Sequence, residues 1–253
     1  LPTALWDHSR VIALFDAAAG EEAFRAILAE AARAAGFDGV PRYTTEAVAE
    51  QNWVQLTQSQ FDPIRITERL WIVPSWHEAP DPEAINIELD PGRAFGTGSH
   101  PTTRLCLEWL CEVVTPGLSV LDYGCGSGIL AIAAGLLGAG DVLGVDIDDK
   151  AVEAARDNAA RNRVTMRVQH SGEPLTETFD LVVANILTNP LCVLAPAIAA
   201  RVAAGGRIAL SGVLESQAGQ VIEAWAPYLS LRVGATCEGW VRLEGERRRA
   251  GVR

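Results

Sequence analysis

Three short stretches carry residue types that could bind a ligand and aim a reacting group. Val120-Leu121-Asp122-Tyr123-Gly124-Cys125-Gly126-Ser127-Gly128-Ile129 is an apolar run that ends in an acid and opens into alternating glycines. An apolar strand, a glycine loop and a helix place a ligand outside the carboxyl end of the strand, where glycines let the backbone bend sharply and approach it closely. Asp146 lies 22 residues after Gly124, at the end of the next apolar run, Gly144-Val145-Asp146. A carboxylate at that strand tip can accept both hydroxyl hydrogens of a ribose. Asp148 and Asp149 read as helix-start acids favoured by the helix dipole. The run Leu181-Val182-Val183-Ala184 ends in Asn185, which places an amide at a third strand tip.

Two nucleoside cofactors compete for the glycine loop. A dinucleotide site prefers G-x-G-x-x-G, with a pyrophosphate on the helix N-terminus. Here Gly124 and Gly126 fit, but the third position is Ile129 and the glycine lies at 128. The D-x-G-x-G-x-G order beginning at Asp122 resembles the first motif of the Rossmann-like methyltransferases. Their ligand, S-adenosyl-L-methionine, has no phosphate and carries a sulfonium, an ammonium and a carboxylate, so an acid beside the loop is useful. Taken alone, the glycines also fit a plain strand-to-helix turn. Asp146 supports an adenosine ligand without choosing between the two cofactors.

In amino methyltransferases, the strand end held here by Asn185 often carries a D/N-P-P-aromatic motif. Its side-chain oxygen and the following backbone carbonyl accept hydrogen bonds from the target N–H, which aims the nitrogen lone pair. Asn185 suits that role because it accepts and donates without charge; the alternative is a turn-forming Asn. Ile186-Leu187 replaces Pro-Pro and no aromatic follows closely. A flat nucleobase usually wants a stacking ring, so Asn-Ile-Leu favours an aliphatic amine.

The elements that must position these residues are legible in the hydrophobic periodicity. Residues 1 to about 80 hold Trp6, Trp53, Trp71 and Trp76, four of the seven tryptophans. Val11 to Phe15 reads as a strand, Glu21 to Ala35 and Thr44 to Leu56 as helices, and Ile64 to Ile66 and Leu70 to Val73 as short strands, a small α+β unit. A proline-marked connection at 79–82 follows, then a strand over Ile85–Leu89 and a turn at Asp90-Pro91-Gly92. A helix starts near Ser99-His100-Pro101 and runs to about Val114. Strands then fit Ser119–Asp122, Val142–Asp146, Met166–Gln169, Leu181–Asn185 and Arg207–Ser211. Helices fit Ile129–Leu137, Lys150–Asn162, Pro190–Ala203 and Ser216–Ala226. That alternation implies an α/β fold with a parallel sheet and helices on both faces. Ser230–Thr236 and Trp240–Glu244 have no helix between them and read as an antiparallel hairpin closing the sheet edge.

Composition narrows the partners. The chain has 253 residues and a formal net charge of −11. An acidic chain repels phosphates, so no direct nucleic-acid binding is expected, and a basic protein partner is compatible. The longest apolar stretch, Ile129 to Ala139, is about half of what a bilayer needs, so no membrane span is expected. Cys106, Cys111, Cys125, Cys192 and Cys237 contain no CxxC or Cys/His pairing, so no metal site is expected. An odd count in a chain of this length reads as reduced thiols in a cytoplasm.

A further block, Leu89-Asp90-Pro91-Gly92-Arg93-Ala94-Phe95-Gly96-Thr97-Gly98-Ser99-His100-Pro101-Thr102-Thr103, is a glycine-rich turn entering a helix just ahead of the glycine-loop strand. Together with Asn185-Ile186-Leu187, with Arg69-Leu70-Trp71-Ile72-Val73-Pro74-Ser75-Trp76 and with Ser211-Gly212-Val213-Leu214-Glu215-Ser216-Gln217, it closely resembles the bacterial ribosomal protein L11 methyltransferases. The resemblance covers roughly residues 50 to 245. It implies a Rossmann-like class I methyltransferase fold preceded by a small α+β substrate-recognition domain. It also implies repeated N-methylation of lysine side chains and an α-amino group on one ribosomal protein.

By position, the resemblance makes Asn185 the catalytic residue. Thr103, Asp122, Gly124, Gly126, Gly128, Asp146, Ile147 and Asn185 form the cofactor set, and Phe95 and His100 lie near the cofactor lid on the substrate side. His100 reads equally well as a helix-start residue. The implied layout is a domain over residues 1–80, a linker over 81–92, the methyltransferase domain over 93–245 and a basic tail over 246–253. The family's first domain opens with a further strand and helix ahead of the Trp6 region, so residues 1–80 read as incomplete at the N-terminus. The rival readings are an amino methyltransferase acting on another protein or a small amine and, less favoured, a nicotinamide-dependent oxidoreductase.

Overall fold

The computed structural model describes residues 20–37, 39–40, 42–44, 61–90 and 98–248. The chain divides into two units, Leu1–Leu56 and Thr57–Arg253. In the first, the Ala-rich stretch forms α1 (Gly20–Ala34), and Phe24 meets Tyr43 edge-on with ring centroids 5.1 Å apart. The strand expected at Val11–Phe15 and the helix expected at Thr44–Leu56 lie outside the described residues. Trp6, Trp53 and Phe95 lie outside them as well.

The second unit begins with a three-stranded sheet of β1 (Ile64–Arg65), β2 (Leu70–Val73) and β3 (Ile85–Glu88). Then come α2 (Pro101–Val113), β4 (Ser119–Tyr123), α3 (Ile129–Leu136), β5 (Asp141–Asp146), α4 (Asp149–Arg161), β6 (Arg167–His170) and β7 (Phe179–Asn185). The chain continues through α5 (Thr188–Val193), α6 (Ala195–Ala199), β8 (Val202–Leu214), α7 (Ala218–Trp225), β9 (Leu231–Cys237) and β10 (Trp240–Glu246). The large sheet has seven strands in the order β6-β5-β4-β7-β8-β10-β9. Strands β6, β5, β4, β7 and β8 pair in parallel, while β10 lies antiparallel between β8 and β9, the two-residue turn at Glu238-Gly239 fixing the direction of the β9–β10 pair.

Alternate residues of the central strands feed opposite cores, as the pleat dictates. Val120, Leu181 and Val183 pack with α2, α3 and the small sheet, whereas Leu121, Val182 and Ala184 pack with α5, α6 and α7. Both faces are therefore covered, and the strand tips carrying Tyr123, Asp146 and Asn185 emerge at one edge of the sheet.

Three expectations differ from the structure. The boundary drawn at residue 80 falls inside the second unit, because Leu70, Ile72 and Ile87 share one apolar core with α2 and α3. Polar ties reinforce that attachment. Arg104 of α2 donates to the carbonyl of Arg65 at 2.9 Å, and Asn162 exchanges bonds of 2.7 and 2.8 Å with the backbone of Glu88. The stretch 81–92 is likewise more than a linker, since it contributes β3. The single helix expected over Pro190–Ala203 is two short helices, with β8 already begun at Val202. Pro196 has no N–H to continue the first helix, and it enters the second within its opening turn.

Candidate active site

The glycine loop is fastened to its neighbour strand. The N–H groups of Gly124 and Cys125 both donate to the carbonyl of Val145, at 2.7 and 3.0 Å. Gly124, Gly126 and Gly128 all have positive φ, and Gly128 caps α3 in the left-handed region. At Gly124 a side chain is excluded twice over. Its φ is +80°, and a Cβ there would overlap the side chain of Ile186. The glycine loop and the Asn-Ile-Leu turn are thus in van der Waals contact through the missing side chain.

Asp146 braces this loop from the next strand tip. One of its oxygens accepts from Gly126 N–H at 2.8 Å and the other from Asp148 N–H at 3.0 Å. A carboxylate has about four acceptor sites, so capacity remains for ribose hydroxyls. Ile147, next along, is 78% exposed, a large apolar side chain left bare beside an acid. His170 at the end of β6 steadies that turn. Its Nε2 faces the Ile147 carbonyl at 2.7 Å, and Gly172 N–H donates to its Nδ1 at 3.0 Å.

Asp122 is fully buried beneath the loop. One oxygen accepts from Ala131 N–H at 3.1 Å, and the other has no hydrogen-bond partner among the described residues. Burial, aided by the charge of Asp146, pushes its carboxyl up to about 7. Cys125, inside the loop, is also buried; burial and the two nearby acids raise its thiol well above the usual value, so it is a poor nucleophile.

The Asp122 shift has a testable consequence. Its carboxyl holds a proton up to about pH 7 in the folded chain, against an ordinary value of 3.8. Between those values the folded state binds a proton that the unfolded state has lost, so this group makes stability fall as pH rises through the window. Asp122→Asn is expected to remove that dependence. The variant should gain stability over the parent as pH goes from 5 to 8 in chemical denaturation, and an equal difference at both pH values would refute the burial argument.

Asn185 ends β7, half-buried, and its amide nitrogen donates to Thr103 Oγ1 at 3.3 Å across 82 residues of sequence. Thr103 is itself buried in the first turn of α2. Asn185 sits in register with Ser211 of β8. His100 is the cap of α2: its Nδ1 accepts from Thr102 N–H at 3.3 Å, and its ring meets Trp240 edge-on at 4.7 Å. These contacts give it a helix-start role. Helix α2 is held in turn by buried Arg242, which donates to the Leu105 carbonyl at 2.6 Å and pairs with Glu244 at 2.7 Å.

Of the site residues expected from sequence, the fold brings together Thr103 with Asn185, and Gly126 with Asp146. It sets Gly124 against Ile186, and Asp122 lies below the same loop. Phe95 falls outside the described residues. Sequence reasoning assigned no role to His170, Thr188, Gly212 or Gln217. For the last two, the Ser211–Gln217 block was the available signal. Asp146 is the acid that faces the tight glycine loop, and its spare acceptor capacity suits ribose hydroxyls. With an acid and an exposed apolar side chain side by side, the residues fit S-adenosylmethionine.

Fold and site together define an S-adenosylmethionine-dependent class I methyltransferase. The family model described as ribosomal protein L11 methyltransferase matches residues 2–248. The chain belongs to that family. It is 62% identical over 240 residues to the ribosomal protein L11 methyltransferase of Dechloromonas aromatica, covering 95% of this chain and 80% of the relative. It is 58% identical over 243 residues to that of Cupriavidus necator, covering 96% and 80%. The crystal structure of the ribosomal protein L11 methylase from Lactobacillus delbrueckii subsp. bulgaricus superposes with a TM-score of 0.69 at 34% identity, over 74% of this chain and all of that one. A T. thermophilus rRNA methyltransferase solved with S-adenosylmethionine and guanosine superposes with a TM-score of 0.53 at 23% identity, over 61% of this chain and 45% of that one, a likeness of fold. Among the described residues no helix is long and apolar enough to cross a membrane.

Proposed function

We propose that this chain methylates ribosomal protein L11 at amine nitrogens, on lysine side chains and the α-amino group, with Asn185 aiming the amine. The observation that carries the reading is the placement of Asn185. It ends a central strand, its amide is tethered to Thr103, and Ile186 beside it packs onto the glycine loop. When bound, S-adenosylmethionine supplies an activated methyl group on a sulfonium, and its transfer to an amine is a direct displacement.

The protein's own task is mainly orientation. Asp146 and Ile147 would hold the adenosine half, and the glycine loop would let the backbone close on the rest. With its nitrogen committed to Thr103, the Asn185 amide presents its oxygen as an acceptor, and the Ile186 carbonyl provides a second. A lysine amine is neutral in only about one molecule in two thousand at pH 7. Desolvation in the closed site favours the neutral amine, and two acceptors on its N–H groups point its lone pair away from them. Mass spectrometry of ribosomal protein L11 after incubation with enzyme and cofactor tests the reading. Methyl groups on lysine and α-amine nitrogens support it, and an unmodified protein overturns it.

The free protein is the preferred form of the substrate, met in the cytoplasm before assembly. The net charge of −11 repels RNA phosphates. Initial rates are expected to be higher on free L11 than on assembled large subunits, with the gap narrowing as salt screens the repulsion. Faster methylation of assembled subunits, or any transfer to naked RNA, would reverse this conclusion.

A further inference from the structure

Beyond the tip of β7, the Asn185-Ile186-Leu187 turn is gripped from a second side by the end of β8. Gly212 follows the residue paired with Asn185, so it lies against Ile186. Its φ is +83°, and a Cβ there would overlap the carbonyl oxygen of Ile186 and lie 2.7 Å from the carbonyl carbon and 3.1 Å from the nitrogen. All three are backbone atoms and cannot swing aside as a side-chain end would. The missing side chain therefore lets β8 press directly on the peptide group whose carbonyl is the second amine acceptor.

Five residues on, the chain reaches back to the far end of the same turn. Gln217 Oε1 accepts from the Thr188 hydroxyl at 2.8 Å and from Leu214 N–H at 3.4 Å. Thr188 is buried and opens α5 immediately after Leu187. One amide oxygen thus ties the exit of the Asn-Ile-Leu turn to the exit of β8. Leu187 is 70% exposed, so side-chain burial does little to hold that exit in place.

We propose that Gly212 and Gln217 are positioning residues for methyl transfer. By clamping the turn at its middle and its end, they set the direction of the Ile186 carbonyl and, with it, the line along which the target amine approaches. The inference rests on the reading of Asn185 and Ile186 as amine acceptors. An in-line displacement is sensitive to such placement, because an error of about 1 Å in a reacting geometry costs on the order of a hundredfold in rate. Neither residue touches the glycine loop or Asp146 among the hydrogen bonds of the described residues, so cofactor binding should not depend on them.

The test uses the full chain, single-turnover methyl transfer to ribosomal protein L11 and calorimetric binding of S-adenosylmethionine. Gln217→Leu is expected to slow the transfer step about tenfold or more, with the cofactor dissociation constant held within about twofold. Gln217→Glu, which keeps an oxygen acceptor at the same reach, should recover most of the rate. Thr188→Val breaks the same bond from its other end and should reproduce the loss, which keeps the proposal testable if Gln217→Leu folds poorly. In an Asn185→Ala background, Gln217→Leu should cost little more, since both act on one turn. Transfer unchanged in both Gln217→Leu and Thr188→Val, alongside a damaged Asn185→Ala, would sink this inference alone. A fully active Asn185→Ala would sink the reading on which it rests. Parallel losses in cofactor affinity and thermal stability, without rescue by Gln217→Glu, would reduce the clamp to scaffolding.

Discussion

Asn185→Ala is expected to lower turnover on the protein substrate by about a hundredfold, the scale seen when one preorganised polar partner is removed from a reacting centre. Affinity for S-adenosylmethionine should change by no more than about 1 kcal/mol, the worth of one neutral hydrogen bond. The asymmetry follows from geometry. The amide nitrogen is already satisfied by Thr103 Oγ1 at 3.3 Å, so the group is held by the scaffold and its oxygen is available to the incoming amine. Truncation removes an acceptor and a tether together, but the cofactor loop remains fastened by Val145 and Asp146. Rapid-quench measurement of the transfer step, with calorimetry on the same preparation, separates the two quantities. A purified variant with full transfer rate would make Asn185 a turn residue and nothing more.

Much of this was legible in the sequence, for reasons specific to particular residues. Parallel strands buried on both faces read as unbroken apolar runs. Leu181-Val182-Val183-Ala184 therefore announced β7 and left Asn185 conspicuous at its end. Asp122 and Asp146 stood out by the same contrast of acid against apolar run. What escaped depends on contacts far apart in the chain. The Thr103–Asn185 bond spans 82 residues, so no local pattern pairs the two side chains. The need for glycine at 212 lies in the backbone of Ile186 on another strand. That Asp122 points inward rather than toward the ligand depends on the pleat and on the N–H of Ala131. The boundary at residue 80 was drawn at prolines, whereas the packing of Leu70 and Ile72 against α2 and α3 decides it. The break at Pro196 stands apart, since it was readable and the helical periodicity on either side concealed it.

Asp146→Ala is expected to weaken S-adenosylmethionine binding by about 1.5–3 kcal/mol, roughly ten- to a hundredfold in dissociation constant, the range of hydrogen bonds to a charged group. Two losses contribute. The ribose hydroxyls would lose their charged acceptor. The N–H groups of Gly126 and Asp148, now bonded at 2.8 and 3.0 Å, would lose the brace that shapes the loop before the ligand arrives. Asp146→Asn separates them, since its one amide oxygen can keep a single backbone bond while the charge is gone, and its affinity should fall between parent and alanine variant. The substitution should also act on Asp122, whose carboxyl is raised in part by the Asp146 charge. Removing that charge lowers the Asp122 carboxyl toward its ordinary value, so the stability lost between pH 5 and 8 should shrink in Asp146→Ala. Calorimetry across the three proteins gives the affinities, and denaturation at the two pH values gives the coupling. An unchanged dissociation constant in the alanine variant would remove Asp146 from the cofactor site, and a shift confined to stability would leave it only as the brace of the glycine loop.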